Sequence, residues 1–392
     1  MLERSWDAQD ADLIHRHHDR RHRAAAGAHP MVGAALILPG GAARGAYEAG
    51  VIEGLRLVAG VSDGEALPGV NVVAGTSIGA INAWFVATAQ YTLLQELWKT
   101  VPSHRLFRVK RRYAATVNPR SDIFNRTLQA AQLSRDLVSS VTGVLDSFPI
   151  IDWLTRNIDP SVPVVTPYLI TLTNLDERRA EVFYRMNEQP SREAALEADA
   201  RLRSTFAGSV LMRRIEDRHL ASALAASSAI PMLLDPVTIP FADGARTYID
   251  GGIADSAPLD VARSLSRRIH VIFVHPVHST RLCPANAAAV GSVAFGIASS
   301  RMFEAALRVA YLETRVSRSL RRSRTTVEQR KLLAQTFDVD LFVIRPDEEL
   351  PLECGGFDDA EGIVRVYELG RTAGLAGFHE YRPVDGTSST GA

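Results

Sequence analysis

The sequence predicts an α/β protein built on a parallel sheet covered by helices. Two strand–loop–helix units follow one another within about sixty residues near the start, and several short apolar runs of strand character recur downstream. In the first unit, Ala34-Ala35-Leu36-Ile37-Leu38 is a continuous apolar run, as expected of a strand buried on both faces. Pro39 to Gly45 must be a loop. From Ala46 the pattern turns helical, with Tyr47, Val51, Leu55 and Val58 at near-fourfold spacing. A polar connection marked by Gly and Pro, Ser62 to Gly69, leads into the second unit. There Val70 to Ala74 reads as a strand, Gly75-Thr76-Ser77-Ile78-Gly79 as a tight turn, and Ala80 to Gln90 as a helix whose Ala80, Ala83 and Ala87 suit close packing.

Residues 100–160 are mixed and helix-leaning, with basic residues Arg105, Arg108, Lys110, Arg111 and Arg112; they are expected to form an insertion or cap. Strands are expected over Val164 to Thr173 and Ala180 to Tyr184, with a turn at Asn174 to Arg178. An Ala/Ser-rich helix is expected around residues 219–231, ending at Pro231. Thr247-Tyr248-Ile249 is a short strand running into Asp250-Gly251-Gly252, and Ile269 to Val274 is another buried-type strand. Residues 299–334 carry a long amphipathic pattern, with Met302, Ala306, Val309, Val316 and Leu320 on one face and Arg301, Arg308, Arg315 and Arg322 on another. Net charge over residues 301–331 is +6. The plainer reading is a core-packing helix with a solvated arginine face; the other is a surface that sits on anionic lipid.

The length of 392 residues is ample for a large core, and 46% apolar residues exclude a disordered or collagenous chain. Formal net charge is zero, from 44 basic and 44 acidic residues, which disfavours a nucleic-acid binder. Only Lys99, Lys110 and Lys331 among the basic residues are lysine. Cys283 and Cys354 make neither a disulfide framework nor a metal-finger spacing. Residues 1–33 read as a flexible His/Arg-rich tail without the apolar segment of a signal peptide, so a cytoplasmic start is expected. The uncharged stretch Leu282 to Ser300 is too weakly apolar to span a membrane and is expected as a buried or interfacial helix.

Chemistry enters at Gly75-Thr76-Ser77-Ile78-Gly79, a G-x-S-x-G pattern with a strand before it and a helix after it. A serine on so sharp a turn needs small neighbours, and the turn lifts its hydroxyl to the start of the following helix. There unpaired amides and the helix dipole favour negative charge. A serine hydroxyl also needs a base. Of eleven histidines, His275 and His278 follow a strand and could complete a Ser–Asp–His triad, but no histidine sits in a setting that demands it. Asp250 is the better candidate, since it ends a strand at the same kind of sheet edge and two glycines let the chain turn away. The loop Gly40-Gly41-Ala42-Ala43-Arg44-Gly45 could cradle an oxyanion or phosphate with backbone N–H groups. It has no Walker lysine, and the dinucleotide pattern is broken at Ala42.

Taken in order, Gly40-Gly41-Ala42-Ala43-Arg44-Gly45, Gly75-Thr76-Ser77-Ile78-Gly79 and Asp250-Gly251-Gly252 resemble the patatin-like phospholipase family. Ala226-Ser227-Ser228-Ala229-Ile230-Pro231 and Asn174-Leu175, followed by Val182-Phe183, add to the resemblance, which covers roughly Leu36 to Ser264. It implies a three-layer α/β/α fold and a Ser–Asp dyad without a catalytic histidine. Ser77 would then be the nucleophile and Asp250 the general base, with the oxyanion hole at Gly41, Ala42 and Ala43 and Arg44 in the family's basic position. Ala42 departs from the usual third glycine: its methyl is tolerable at a negative φ and harms the hole at a positive one. Gly41 and Ser77 are only 36 residues apart, room for one βα unit, which favours the dyad architecture over a His-triad hydrolase.

The expected organisation is a catalytic domain over residues 34–275, a C-terminal helical extension over 276–380 packed on it, and a flexible tail over 381–392. The expected activity is hydrolysis of a lipid acyl ester of the phospholipase A or lysophospholipase type, without metal or other cofactor. The alternatives are a transacylase using the same acyl-enzyme, and a catalytically silent lipid-binding protein. The expected partner is a lipid or phospholipid, with peripheral contact to anionic membrane and no nucleic acid.

Overall fold

The computed structural model describes residues 33–100, 108–110, 145–187, 211–231, 233–255, 258–276, 287–321, 326, 338–352 and 356–383, with backbone alone at 109, 287–297 and 299. In chain order the elements are β1 (Ala34–Leu38), α1 (Gly45–Ala59), β2 (Val70–Thr76), α2 (Ile78–Ala87), α3 (Tyr91–Thr100), β3 (Arg108–Val109), β4 (Leu145–Asp146), α4 (Phe148–Asn157), β5 (Tyr168–Asn174), β6 (Arg179–Arg185) and β7 (Leu211–Arg214). There follow α5 (Leu220–Ser227), β8 (Val237–Phe241), β9 (Gly244–Asp250), α6 (Leu259–Leu265), β10 (Arg268–Ile272), α7 (Ala287–Arg321), β11 (Asp340–Ile344), α8 (Ala360–Ala376) and β12 (His379–Glu380). The central sheet runs β12-β11-β10-β1-β2-β5-β6-β7, with the β8–β9 hairpin joined to β5. Its middle pairs, from β11 through β10, β1 and β2 to β5, are all parallel.

Strand alternation explains the three layers. Leu36 and Leu38 of β1 point into one core with α1, α2, α5 and α8. Ala35 and Ile37 point into the other, with α6 and α7. With both faces buried, β1 has no polar side chain to offer, hence its uninterrupted apolar run.

The C-terminal third does more than the expected helical extension. β11 pairs in parallel with β10, and β12 closes the edge against β11, so this part of the chain completes the sheet. α7 covers one face and α8 the other. The short run Asp340 to Ile344 is easily overlooked in a sequence beside the long helix that precedes it. That helix spans Ala287–Arg321, starting before the expected residue 299; of residues 322–334 only Thr326 is among the described residues. No helix among the described residues is long and apolar enough to cross a membrane. The side chains of the uncharged stretch before residue 298 lie outside the description.

α7 also presents a different face from the expected one. It buries Phe303, Leu307, Ala310, Thr314 and Ser317, whereas Met302, Val309 and Val316 are exposed. β5 starts at Tyr168, not Val164, because Pro163 and Pro167 lack the N–H a ladder needs. The expected helix at 219–231 is α5, which stops at Ser227. Of the expected insertion, the two-residue β3–β4 pairing and α4 are described. The tail before residue 33, Arg105, Arg111, Arg112, His278, Cys283, Cys354 and residues 384–392 lie outside the described residues.

α8 packs on α1 at backbone distance. A Cβ on Gly50 would meet the Tyr367 carbonyl oxygen at 2.0 Å, and one on Gly370 would meet that of Tyr47 at 2.2 Å. Since α1 begins directly behind the glycine-rich loop, α8 braces the site from outside the first 263 residues. Gly50→Ala is expected to cost about 3 kcal/mol of stability through this collision, read as a lower urea midpoint with unchanged slope.

Candidate active site

β5 brings the site together. β6 pairs with one of its edges along the whole strand, Tyr168 to Asn174. Its other edge is shared: β2 pairs in parallel up to Thr76 opposite Thr171, and β9 pairs antiparallel from Asp250 opposite Leu172. β2 and β9 therefore run towards each other along one edge and meet end to end. Ser77 is the next residue after β2, and Asp250 is the last of β9. Gly251 lets the chain leave this crowded point, because a Cβ there would lie 2.2 Å from the Thr171 carbonyl oxygen.

Ser77 has φ 57° and ψ −134°, a strained conformation for a residue with a side chain. Ser227 supports it: its Oγ accepts the Ser77 N–H at 3.0 Å and donates to the Thr171 carbonyl at 2.8 Å. Ser77 is only partly covered and stands at the N-terminus of α2, where backbone N–H groups favour negative charge. Gly75 and Gly79 have room for no side chain: a Cβ on Gly75 would meet the Gly79 carbonyl oxygen at 2.3 Å, and one on Gly79 that of Leu38 at 2.2 Å.

Asp250 is buried, 1% exposed. Its Oδ1 accepts the Gly252 N–H at 2.8 Å, its own N–H donates to Ala229 O at 2.9 Å, and its carbonyl accepts the Thr173 hydroxyl at 2.8 Å. Burial pushes its carboxyl up to about 6, against the opposing pull of the Gly252 N–H and the Ser77 hydroxyl. Oδ2 is buried and has no partner that meets hydrogen-bond geometry. The Ser77 hydroxyl thus lies near enough to lower the carboxyl's pKa, without a hydrogen bond of good geometry to Oδ2.

The glycine-rich loop leaves β1 through Gly40, at φ 81°, and Gly41, at φ 153°, both in the region that favours glycine. A short 3-10 turn, Ala42–Arg44, leads into α1 at Gly45. Ala42 adopts φ 53°, so the methyl group sits in the left-handed conformation rather than the tolerant one. Among the described residues no acceptor takes the N–H of Gly41, Ala42 or Ala43. Three backbone donors are thereby left for a ligand at the same sheet edge as Ser77.

Arg44 points away from a role as a free cation. It is buried, pairs with Glu349 at 2.7 Å, donates from Nε to Leu352 O at 2.8 Å and bonds His275 Nδ1 at 2.9 Å. It bolts the loop to the segment after β11. His275 is consequently bonded to Arg44, not held between Ser77 and Asp250. Burial, then Arg44, pushes its pKa down to about 4.

The sequence reading missed Glu48, Asn82 and Trp98. Fully buried Glu48 accepts the Gly40 N–H and the Asn82 Nδ2–H, each at 2.8 Å. Trp98 donates to Asn82 Oδ1 at 2.9 Å, which fixes the amide so that its NH₂ faces Glu48 and Gly45 O. This network ties the loop to the serine helix. Burial pushes Glu48 up to about 8 against the pull of those two donors. A carboxylate amid Ala46, Tyr47, Ala49 and Val51 was its only sequence signal.

Ala42→Gly is expected to relieve the left-handed strain and stabilise the protein by about 1 kcal/mol, read as a higher thermal midpoint with no loss of reactivity at Ser77.

No curated protein matches the chain. Among the solved structures that match, VipD from Legionella pneumophila superposes with a TM-score of 0.37 at 12% identity, covering 88% of this chain and 66% of that one, so the chain spans just under two thirds of VipD's length. The family model of the patatin-like phospholipases matches residues 36–263, from β1 through the Asp250 strand into α6. That stretch is more than half of the chain and carries all three motifs, and the protein belongs to the patatin-like phospholipase family.

Proposed function

We propose that the protein hydrolyses acyl esters of phospholipids or lysophospholipids with a Ser77–Asp250 dyad. The family implies a lipid acyl hydrolase. The observation that carries the finer reading is the end-to-end meeting of β2 and β9 on β5, which sets a strained, accessible serine against a buried carboxylate.

In this reading Ser77 Oγ attacks the ester carbonyl while Asp250 takes its proton. The oxyanion gathers the N–H groups of Gly41, Ala42 and Ala43. The alcohol leaves with the proton from Asp250, and the acyl group stays on Ser77. Asp250 then takes a proton from water, whose oxygen attacks the acyl-enzyme, and the fatty acid departs as Ser77 regains its proton. An alcohol in place of water at that step makes the same enzyme a transacylase. A base with a pKa near 6 suits this work, being ionised at neutral pH yet basic enough to accept a proton.

A fluorescent alkyl-phosphonate should label the wild type. Ser77→Ala should abolish labelling and lower ester turnover by at least roughly 10⁴-fold without unfolding the protein. Labelling retained in that variant rejects Ser77 as the nucleophile, and no labelling of folded wild type turns the reading towards a catalytically silent lipid binder.

Asp250→Asn should lose labelling as well. The carboxyl's folded pKa lies above its unfolded one, so ionising it costs stability as pH rises from about 4 to about 6. Asparagine removes that cost, and the variant should be no less stable than wild type at pH 8, and more stable by up to about 3 kcal/mol. Turnover of the wild type should fall about tenfold per pH unit below about 6 and level off above it. A flat profile between pH 5 and pH 7 rejects Asp250 as the base.

A further inference from the structure

We infer that the outward face of α7 docks on an anionic phospholipid bilayer. This deepens the lipid-hydrolase reading and rests on it for the choice of lipid as occupant. The helix has two stripes at seven-residue spacing. The inner one, Phe303, Leu307, Ala310, Thr314 and Ser317, is buried against the sheet. On the other side Met302, Val309, Leu312 and Val316 are 44–53% exposed and share an apolar ridge.

Charge decides what covers that ridge. Both glutamates of the described helix are engaged inside the protein: Glu304 with Arg345 and the Tyr381 hydroxyl, each at 2.8 Å, and Glu313 with Arg263 at 2.6 Å. Arg318 is neutralised by Asp338 at 2.7 Å and Asp340 at 2.6 Å. Arg301, Arg308, Arg315 and Arg321 remain; they are exposed and make no ion pair among the described residues, and the first three flank the apolar ridge. Arg315 only lies over the Tyr311 ring, 5.8 Å from its centroid. The helix has thus turned its carboxylates inward and presents apolar and cationic groups outward. That pattern fits lipid acyl chains below and phosphate headgroups beside them. A second copy of the same face would set arginine against arginine.

The placement of the helix connects this surface to the site. Phe303 packs on Phe273, just past the carboxyl end of β10, at 5.3 Å between ring centroids. That end of the parallel sheet also holds Ser77. Residues 287–302 precede the contact and, at about 1.5 Å per residue, carry the helix about 24 Å beyond it on the active-site side. Up to Arg301 that stretch has no charged residue. A bilayer seated on α7 therefore meets the sheet edge where the ester must enter.

The test is co-sedimentation of the full chain with sucrose-loaded vesicles of phosphatidylcholine, alone or mixed with phosphatidylglycerol. Wild type should partition onto the mixed vesicles, less so at high salt. The triple variant R301E/R308E/R315E should lose at least about 100-fold in partitioning, from roughly 1 kcal/mol for each arginine near the surface. A second variant, Val309→Ser with Val316→Ser, should bind more weakly while keeping its charge. Phosphonate labelling of Ser77 and hydrolysis of a short-chain soluble ester should stay at wild-type level in both, which also reports that they fold. Equal partitioning of wild type and the triple variant overturns the proposal, as does binding indifferent to phosphatidylglycerol. Self-association or capture by an acidic polypeptide that is lost in the triple variant, with vesicle binding unchanged, also overturns it in favour of a protein partner. Absence of labelling in wild type, with the charge-dependent partitioning intact, rejects the hydrolase reading and leaves the docking surface standing.

Discussion

One edge of β5 is shared by two strands that run towards each other, and the geometry of the site depends on that sharing. β2 uses the edge up to Thr171 and β9 uses it from Leu172 onward. Two strand ends cannot occupy one point, so both chains must turn out of the sheet where they meet. Ser77 turns by accepting a left-handed φ, and Asp250 by passing directly into Gly251-Gly252. Residues far apart in the chain are thereby set facing one another, with Ser227 and Ala229 holding their backbones in place.

This meeting has a thermodynamic cost. Ser77 and Ala42 both hold positive φ, and Asp250 and Glu48 are carboxyl groups removed from water. Such features persist only where surrounding structure over-determines them. Two hydrophobic layers, one on each face of the sheet, provide that rigidity. Within them, Ser227 holds the Ser77 amide, and Glu48 with Asn82 holds Gly40. Preorganised donors at an oxyanion site need this kind of backing, because a loop free to relax would turn its N–H groups elsewhere.

The C-terminal third belongs to the same machinery. The family match ends at residue 263, yet the partners of Arg44 are His275, Glu349 and Leu352, and α8 lies against α1 at backbone distance. A buried guanidinium with a carboxylate, a carbonyl and an imidazole around it cannot be separated from any of them cheaply. The glycine-rich loop is therefore held from the front by the family core and from behind by the segment that follows it.

What the sequence determined by itself is local. A strand buried on both faces must be apolar, so Ala34 to Leu38 was legible, and so was Val70 to Ala74, whose one polar residue, Asn71, is half-buried. A serine on a sharp strand-to-helix turn needs its flanking glycines, so Ser77 was legible, and the glycines after Asp250 marked the carboxylate. What only the tertiary structure decided rests on contacts between distant residues. The stripes Met302/Val309/Val316 and Phe303/Leu307/Ala310 both recur on the helical period, and only packing of Phe303 on Phe273 selects the inner one. That Arg44 is an ion-paired anchor shows only when Glu349 is seen beside it. That Glu48 supports the loop shows only when Gly40 and Asn82 are seen to close on it. Periodicity states which residues share a face; it does not state what that face meets, because the partner's position is set by chain closure over hundreds of residues.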